Sequence, residues 1–139
     1  MGAGLVMTRV LGEVSIFTDL ERALMGATIV IEAIVEDLEA KMTLMKTLND
    51  AVSEDVILAT STLRLDIAEI FSRVTKPERC LGLRFLFPVY SIPEVEVTAS
   101  DVTSKDTMNT VTQWLERMGK TAFLRSGPEP LVLSEEERE

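Results

Sequence analysis

The chain has 139 residues, enough for one domain with a buried core. At 46% hydrophobic and 27% charged its composition is globular rather than disordered. A net charge of −9 and the absence of histidine exclude zinc sites of the Cys/His kind and argue against nucleic acid or an anionic membrane as partner.

The opening MGAGLVM carries the Gly2 of a myristoylation signal, but Val6 stands where Ser or Thr is needed. No basic region of a secretory signal accompanies it, so neither modification is expected. Glu13–Asp19, EVSIFTD, predicts a strand. LERALMG predicts a short helix stopped by Gly26. Ala27–Ile34, ATIVIEAI, is a continuous apolar run and predicts a strand buried on both faces of a parallel sheet. In EDLEAKMTLMKTLNDAV, Leu38, Met42, Met45 and Leu48 recur at helical spacing behind Glu36 and Asp37, acids suited to a helix start.

Val56–Thr62 predicts another buried strand, and LDIAEIFSRV a helix with Ile67, Ile70, Phe71 and Val74 on one face, ended by Lys76-Pro77. CLGLRFLF predicts a strand. So does Glu94–Ser100, with Val95 and Val97 alternating against Glu94 and Glu96. SKDTMNTVTQWLERMGK predicts a long helix with Ser104 as N-cap and Gly119 as C-cap. Its apolar stripe is Met108, Val111, Trp114, Leu115 and Met118. TAFLRS is a last strand before a Pro-containing turn and an acidic tail. Alternating strands and helices predict an α/β domain with a mostly parallel sheet. No apolar run approaches the about 20 residues of a membrane span. The single cysteine, Cys80, lies in an apolar run and reads as a small buried hydrophobe of a reducing, cytoplasmic compartment.

Three stretches carry a resemblance to a known family. VIEAIVEDLEAK (Val30–Lys41) is similar to V-[IV]-E-A-[IV]-x-E-x-[LM]-x-x-K, and ILATSTLRLDIAEI (Ile57–Ile70) to I-L-A-S-N-T-S-S-L-x-I-x-x-[IL]. KPERCLGLRFLFPVYSIPEVEV (Lys76–Val97) is similar to R-P-E-R-x-[IV]-G-x-H-F-F-N-P…L-V-E-V. GKTAFLRSGP resembles the G-K-x-x-[VI] segment that follows. These are segments of the NAD-binding domain of the L-3-hydroxyacyl-CoA dehydrogenases, which oxidise a 3-hydroxyacyl-CoA to the 3-ketoacyl-CoA with NAD. The resemblance implies a truncated Rossmann-like, dinucleotide-binding domain over residues 15–128, with an acidic tail at 129–139. Residues 1–14 resemble a remnant of the glycine-rich turn, carrying Gly2 and Gly4 as cofactor-binding positions. The resemblance leads to the expectation that the first βαβ unit is largely missing and that the family's C-terminal helical domain has no counterpart in this sequence.

Residue by residue, the resemblance places Glu36 and Lys41 near the nicotinamide end of NAD, both kept. The degenerate substrate positions are Ser61 for the family's Asn, Leu63 for its Ser and Phe87 for its second Asn. Arg84 stands at the position of the catalytic His, while its partner carboxylate, Glu96, is kept. The family's base accepts the hydroxyl proton as hydride leaves for the nicotinamide. Arginine has no acceptor lone pair and does not deprotonate in proteins. An Arg84–Glu96 salt bridge is therefore expected, with Leu63 removing a hydroxyl and Phe87 filling the space of an amide. The expected function is a silent, pseudoenzyme form of the domain, used as a binding or scaffold module. An active or complemented NAD-dependent oxidoreductase of fatty-acid metabolism and a non-catalytic nucleotide or acyl-CoA sensor are the alternatives. Loss of the first unit exposes sheet edge and apolar surface, so self-association or a partner protein chain is expected.

Overall fold

The computed structural model of the chain describes residues 13–125. Gly2, Gly4 and the acidic tail lie outside the described residues. In chain order the elements are α1 (Leu20–Leu24), β1 (Ile29–Glu32), α2 (Leu38–Ala51), β2 (Ile57–Thr60), α3 (Ile67–Ile70), β3 (Cys80–Phe85), β4 (Glu94–Thr98), α4 (Lys105–Arg117) and β5 (Thr121–Leu124). The five strands form one sheet in the order β1-β2-β3-β4-β5. All neighbours run parallel except β3 and β4. No helix lies between Phe85 and Glu94, and a chain without a crossover can only return antiparallel.

Helix starts follow the sequence. The carboxylates of Asp19, Asp37 and Asp66 and the hydroxyl of Ser104 accept backbone N–H groups in the first turns of α1, α2, α3 and α4. Gly26 and Gly119 take positive φ just after α1 and α4, the conformation that glycine tolerates best. Side chains alternate across the strands to build two cores. On one face Val30, Leu58 and Cys80 meet Met45 and Leu48 of α2, Ile67 and Ile70 of α3, and Phe71 just after it. On the other, Ile57, Ala59, Leu81, Leu83, Val95 and Val97 meet Val111 and Leu115 of α4. Cys80 is buried as expected, and burial pushes its thiol up to about 12.

Three expectations are corrected. Residues 13–19 form no strand. Ile16 is 93% exposed, and its alternation with Val14 meets neither a partner strand nor a covering layer. β1 is an edge strand of the described sheet rather than one buried on both faces, and Ile31 is exposed. The buried stripe of α2 is Lys41, Met45 and Leu48, with Met42 only half-buried. Glu96 alternates with Val95 and Val97 as expected. It is buried together with Val95 and Val97. Among the described residues, no helix is long and apolar enough to cross a membrane.

Candidate functional site

β1 and β2 end side by side, with Glu32 in register with Thr60. A carboxylate in that interior must be paired. Glu32 accepts Lys41 Nζ at 2.7 Å and 2.9 Å through its two oxygens, the Thr60 hydroxyl, and the Ile34 backbone N–H at 2.9 Å. The Lys41 side chain is 1% exposed and reaches the Ile34 carbonyl at 3.5 Å. Its helical position, one turn before Met45, turns it into the fold rather than toward solvent.

Glu36 binds the loop that follows β2. It accepts the Thr62 hydroxyl at 2.8 Å, the Leu63 N–H at 2.7 Å and the Arg64 N–H at 3.0 Å, with Lys41 Nζ at 3.6 Å. Partial burial pushes its carboxyl up. The bonds from Arg64, Thr62 and Leu63, with the Lys41 charge, outweigh that and hold it below its ordinary 4.5.

From the same loop the connection continues across the sheet. Leu63 gives its carbonyl to Arg125 Nη1 at 2.7 Å, and that nitrogen also donates to Glu96 Oε1 at 3.0 Å. Glu96 and Arg84 are direct cross-strand partners of the β3–β4 pair. Arg84 Nη2 donates to Oε2 at 3.1 Å and Nε to Oε1 at 3.4 Å. The Glu96 side chain is 1% exposed, Arg125 7% and Arg84 19%. One buried carboxylate is thus bracketed by two guanidinium groups. They line a cleft of about 550 Å³ together with Thr62, Arg64 and Thr98. Gly82 forms part of its floor. A Cβ there would lie 3.0 Å from Thr98 Cβ, so glycine is what permits the close approach of β3 and β4.

The expected Arg84–Glu96 salt bridge is therefore present, and Glu36 and Lys41 are brought together. Ser61 lies beside them, its N–H bonded to the Glu32 carbonyl at 3.0 Å. Leu63 contributes its backbone, while its side chain is exposed. Phe87 fills no space in the site: it is 84% exposed and absent from the cleft lining. Sequence reasoning missed Glu32, Thr60, Thr62 and Arg125. Lys41 had a legible signal, a lysine at core spacing with Leu38, Met45 and Leu48. Arg125 had none.

The chemistry open to this cleft is limited. Neither guanidinium can accept a proton, and Glu96 is already engaged by both. Among the described residues, no group of three His, Cys, Asp or Glu side chains could hold a metal. At the nicotinamide-end positions Lys41 is buried against Glu32, and both oxygens of Glu36 hold the loop at 62–64.

The model of the family described as 3-hydroxyacyl-CoA dehydrogenase, NAD binding domain, matches residues 4–125. The fatty acid oxidation complex subunit alpha of Aliivibrio fischeri is 40% identical over 96 residues, covering 69% of this chain and 14% of that protein. The probable 3-hydroxybutyryl-CoA dehydrogenase of Bacillus subtilis is 41% identical over 113 residues, covering 81% of this chain and 39% of its own. The chain thus spans well under half the length of these relatives. Among solved structures, 3-hydroxybutyryl-CoA dehydrogenase from Escherichia coli superposes with a TM-score of 0.75 at 27% identity, over 88% of this chain and 28% of that one. The (S)-3-hydroxybutyryl-CoA dehydrogenase of Ralstonia eutropha gives 0.75 at 27% identity, over 81% and 40%.

Proposed function

Because the chain belongs to the family of 3-hydroxyacyl-CoA dehydrogenase NAD-binding domains, we propose that it is a catalytically silent member, a folded module that binds another protein chain instead of turning over substrate. The observation that carries this reading is the Arg84–Glu96 pair. By resemblance, position 84 is where the family keeps the base that takes the hydroxyl proton. A guanidinium there holds its own proton and donates to the carboxylate that would otherwise orient an imidazole. Losing such a base costs about 10²–10⁴ in rate. Arg125 on the same carboxylate supports the reading further.

The binding half of the proposal is supported by exposed apolar side chains before and around the β1 edge: Ile16, Met25, Ile31, Ile34 and Val35. An edge strand with apolar neighbours invites pairing or covering. A second copy of the chain or a partner chain serves that purpose. NAD enters by family resemblance, and the geometry of Lys41 and Glu36 gives it little to hold.

Calorimetric titration with NADH, then with acetoacetyl-CoA, tests the reading. No saturable heat is expected from either. Saturable NADH binding would replace the module with a ligand sensor or a complemented enzyme. Sedimentation should show association as concentration rises, and a clean monomer at high concentration would remove self-association.

A further inference from the structure

The geometry points to Arg125 as a positioning residue that commits the Glu96 carboxylate to the fold, so that Glu96 stays unavailable to a base at position 84 even after Arg84 is replaced. The inference rests on the proposed silent reading and deepens it. The resemblance locates the loss at positions 63, 84 and 87. The structure adds a fourth residue, just beyond β5.

Arg125 is fixed at both ends. Its backbone N–H donates to the Val97 carbonyl at 2.9 Å, which seats it in the ladder beside the strand that carries Glu96. Its Nη1 bridges the Leu63 carbonyl at 2.7 Å and Glu96 Oε1 at 3.0 Å. The side chain is mostly buried and the carboxylate fully so. A cation in that position neutralises Glu96 independently of Arg84. An imidazole at position 84 would gain its basicity from an uncompensated carboxylate. Here it would face one already paired, with a guanidinium close behind.

The chain lacks histidine, so the imidazole introduced by Arg84→His is the only one and its proton NMR titration is unambiguous. Among the described residues, the other charged groups lining the cleft are Arg64 and Asp66 at the entry to α3 and Asp101 in the turn after β4. They are the same in every variant compared, so differences isolate Arg125. The titration is run on Arg84→His, Arg84→His/Arg125→Gln and Arg84→His/Arg125→Lys, each with a folded amide spectrum. Arg125→Gln should raise the imidazole pKa by about 1 unit over the single variant, and Arg125→Lys, which keeps the charge, should not. Equal values in the single and Gln variants overturn the proposal.

Where the double variants do not fold, the unsubstituted chain decides. Hindered guanidinium rotation, with resolved Nη–H signals that coalesce on Glu96→Gln, is expected for Arg125. Freely averaged signals overturn it. Turnover plays no part in these readouts. A silent chain with an unmoved titration therefore sinks only the role of Arg125, and an active chain with a moved one sinks only the silent reading.

Discussion

Arg84 and Glu96 face each other directly across the antiparallel β3–β4 pair, guanidinium Nη2 3.1 Å from carboxylate Oε2. Glu96 is the shared partner of two cations, and each cation has only a share of it. The two sides of the pair are therefore unequal in their consequences for stability. Glu96→Ala removes the carboxylate that both guanidinium groups share and should cost about 3–5 kcal/mol. Arg84→Met leaves Glu96 with Arg125 and should cost clearly less. Urea unfolding of both variants checks this, and equal losses would contradict the shared-carboxylate picture.

The Glu32–Lys41 pair is enclosed more completely, with the lysine inside the stripe of α2. Lys41→Met strands a buried carboxylate and should lose about 3–5 kcal/mol. The double variant Lys41→Met/Glu32→Gln should recover part of that loss, since the uncompensated charge is gone. A double-mutant cycle measures the coupling directly, and strictly additive losses would show that the two side chains act independently.

Glu36 predicts a pH dependence. Its carboxyl is held below its ordinary 4.5 in the folded chain, so the unfolded chain takes up the proton first as pH falls. The stabilisation from the Glu36 contacts is fully present above that ordinary value and is lost as pH drops through the lower, folded one. Glu36→Gln should therefore be less stable than the parent at pH 7, and the gap should narrow below pH about 4.5. A gap that is constant from pH 7 to pH 3 would remove the ionised carboxylate from the account.

Cys80 is buried between β2 and β4, on the face packed by the first three helices, with its thiol pushed up to about 12 by burial. Thiolate is the reactive form, so a thiol reagent at pH 8 should label the native chain at the rate of unfolding and the urea-unfolded chain at once. Rapid labelling of the native chain would contradict the packing.

Much of the fold was legible because the signals were local. Asp37 and Ser104 announced helix starts, and Gly26 and Gly119 announced the stops that follow. β2 read as buried on both faces and is. β1 has a similar apolar run, yet whether a strand has neighbours on both sides is a property of the sheet, not of the run. Glu96 shows the same limit. Alternation with Val95 and Val97 did not show that it is buried: its two counterions come from β3 and from the residue after β5, 12 and 29 positions away, and they make burial tolerable. The antiparallel return at β4 was not read from the sequence, although the stretch between Phe85 and Glu94 is too short for a crossover. Phe87 was misplaced because the resemblance supplied a position without the direction of the backbone.

Turnover is the most direct test of the silent reading. The purified chain, at high concentration, is incubated with NAD and 3-hydroxybutyryl-CoA, and NADH is followed by its absorbance. The account predicts no rate above the protein-free blank, and the same for the Glu96→Gln variant. A rate that scales with the chain, saturates with both substrates and falls in Glu96→Gln would contradict it and show that the cleft around Arg84 still performs the family's chemistry.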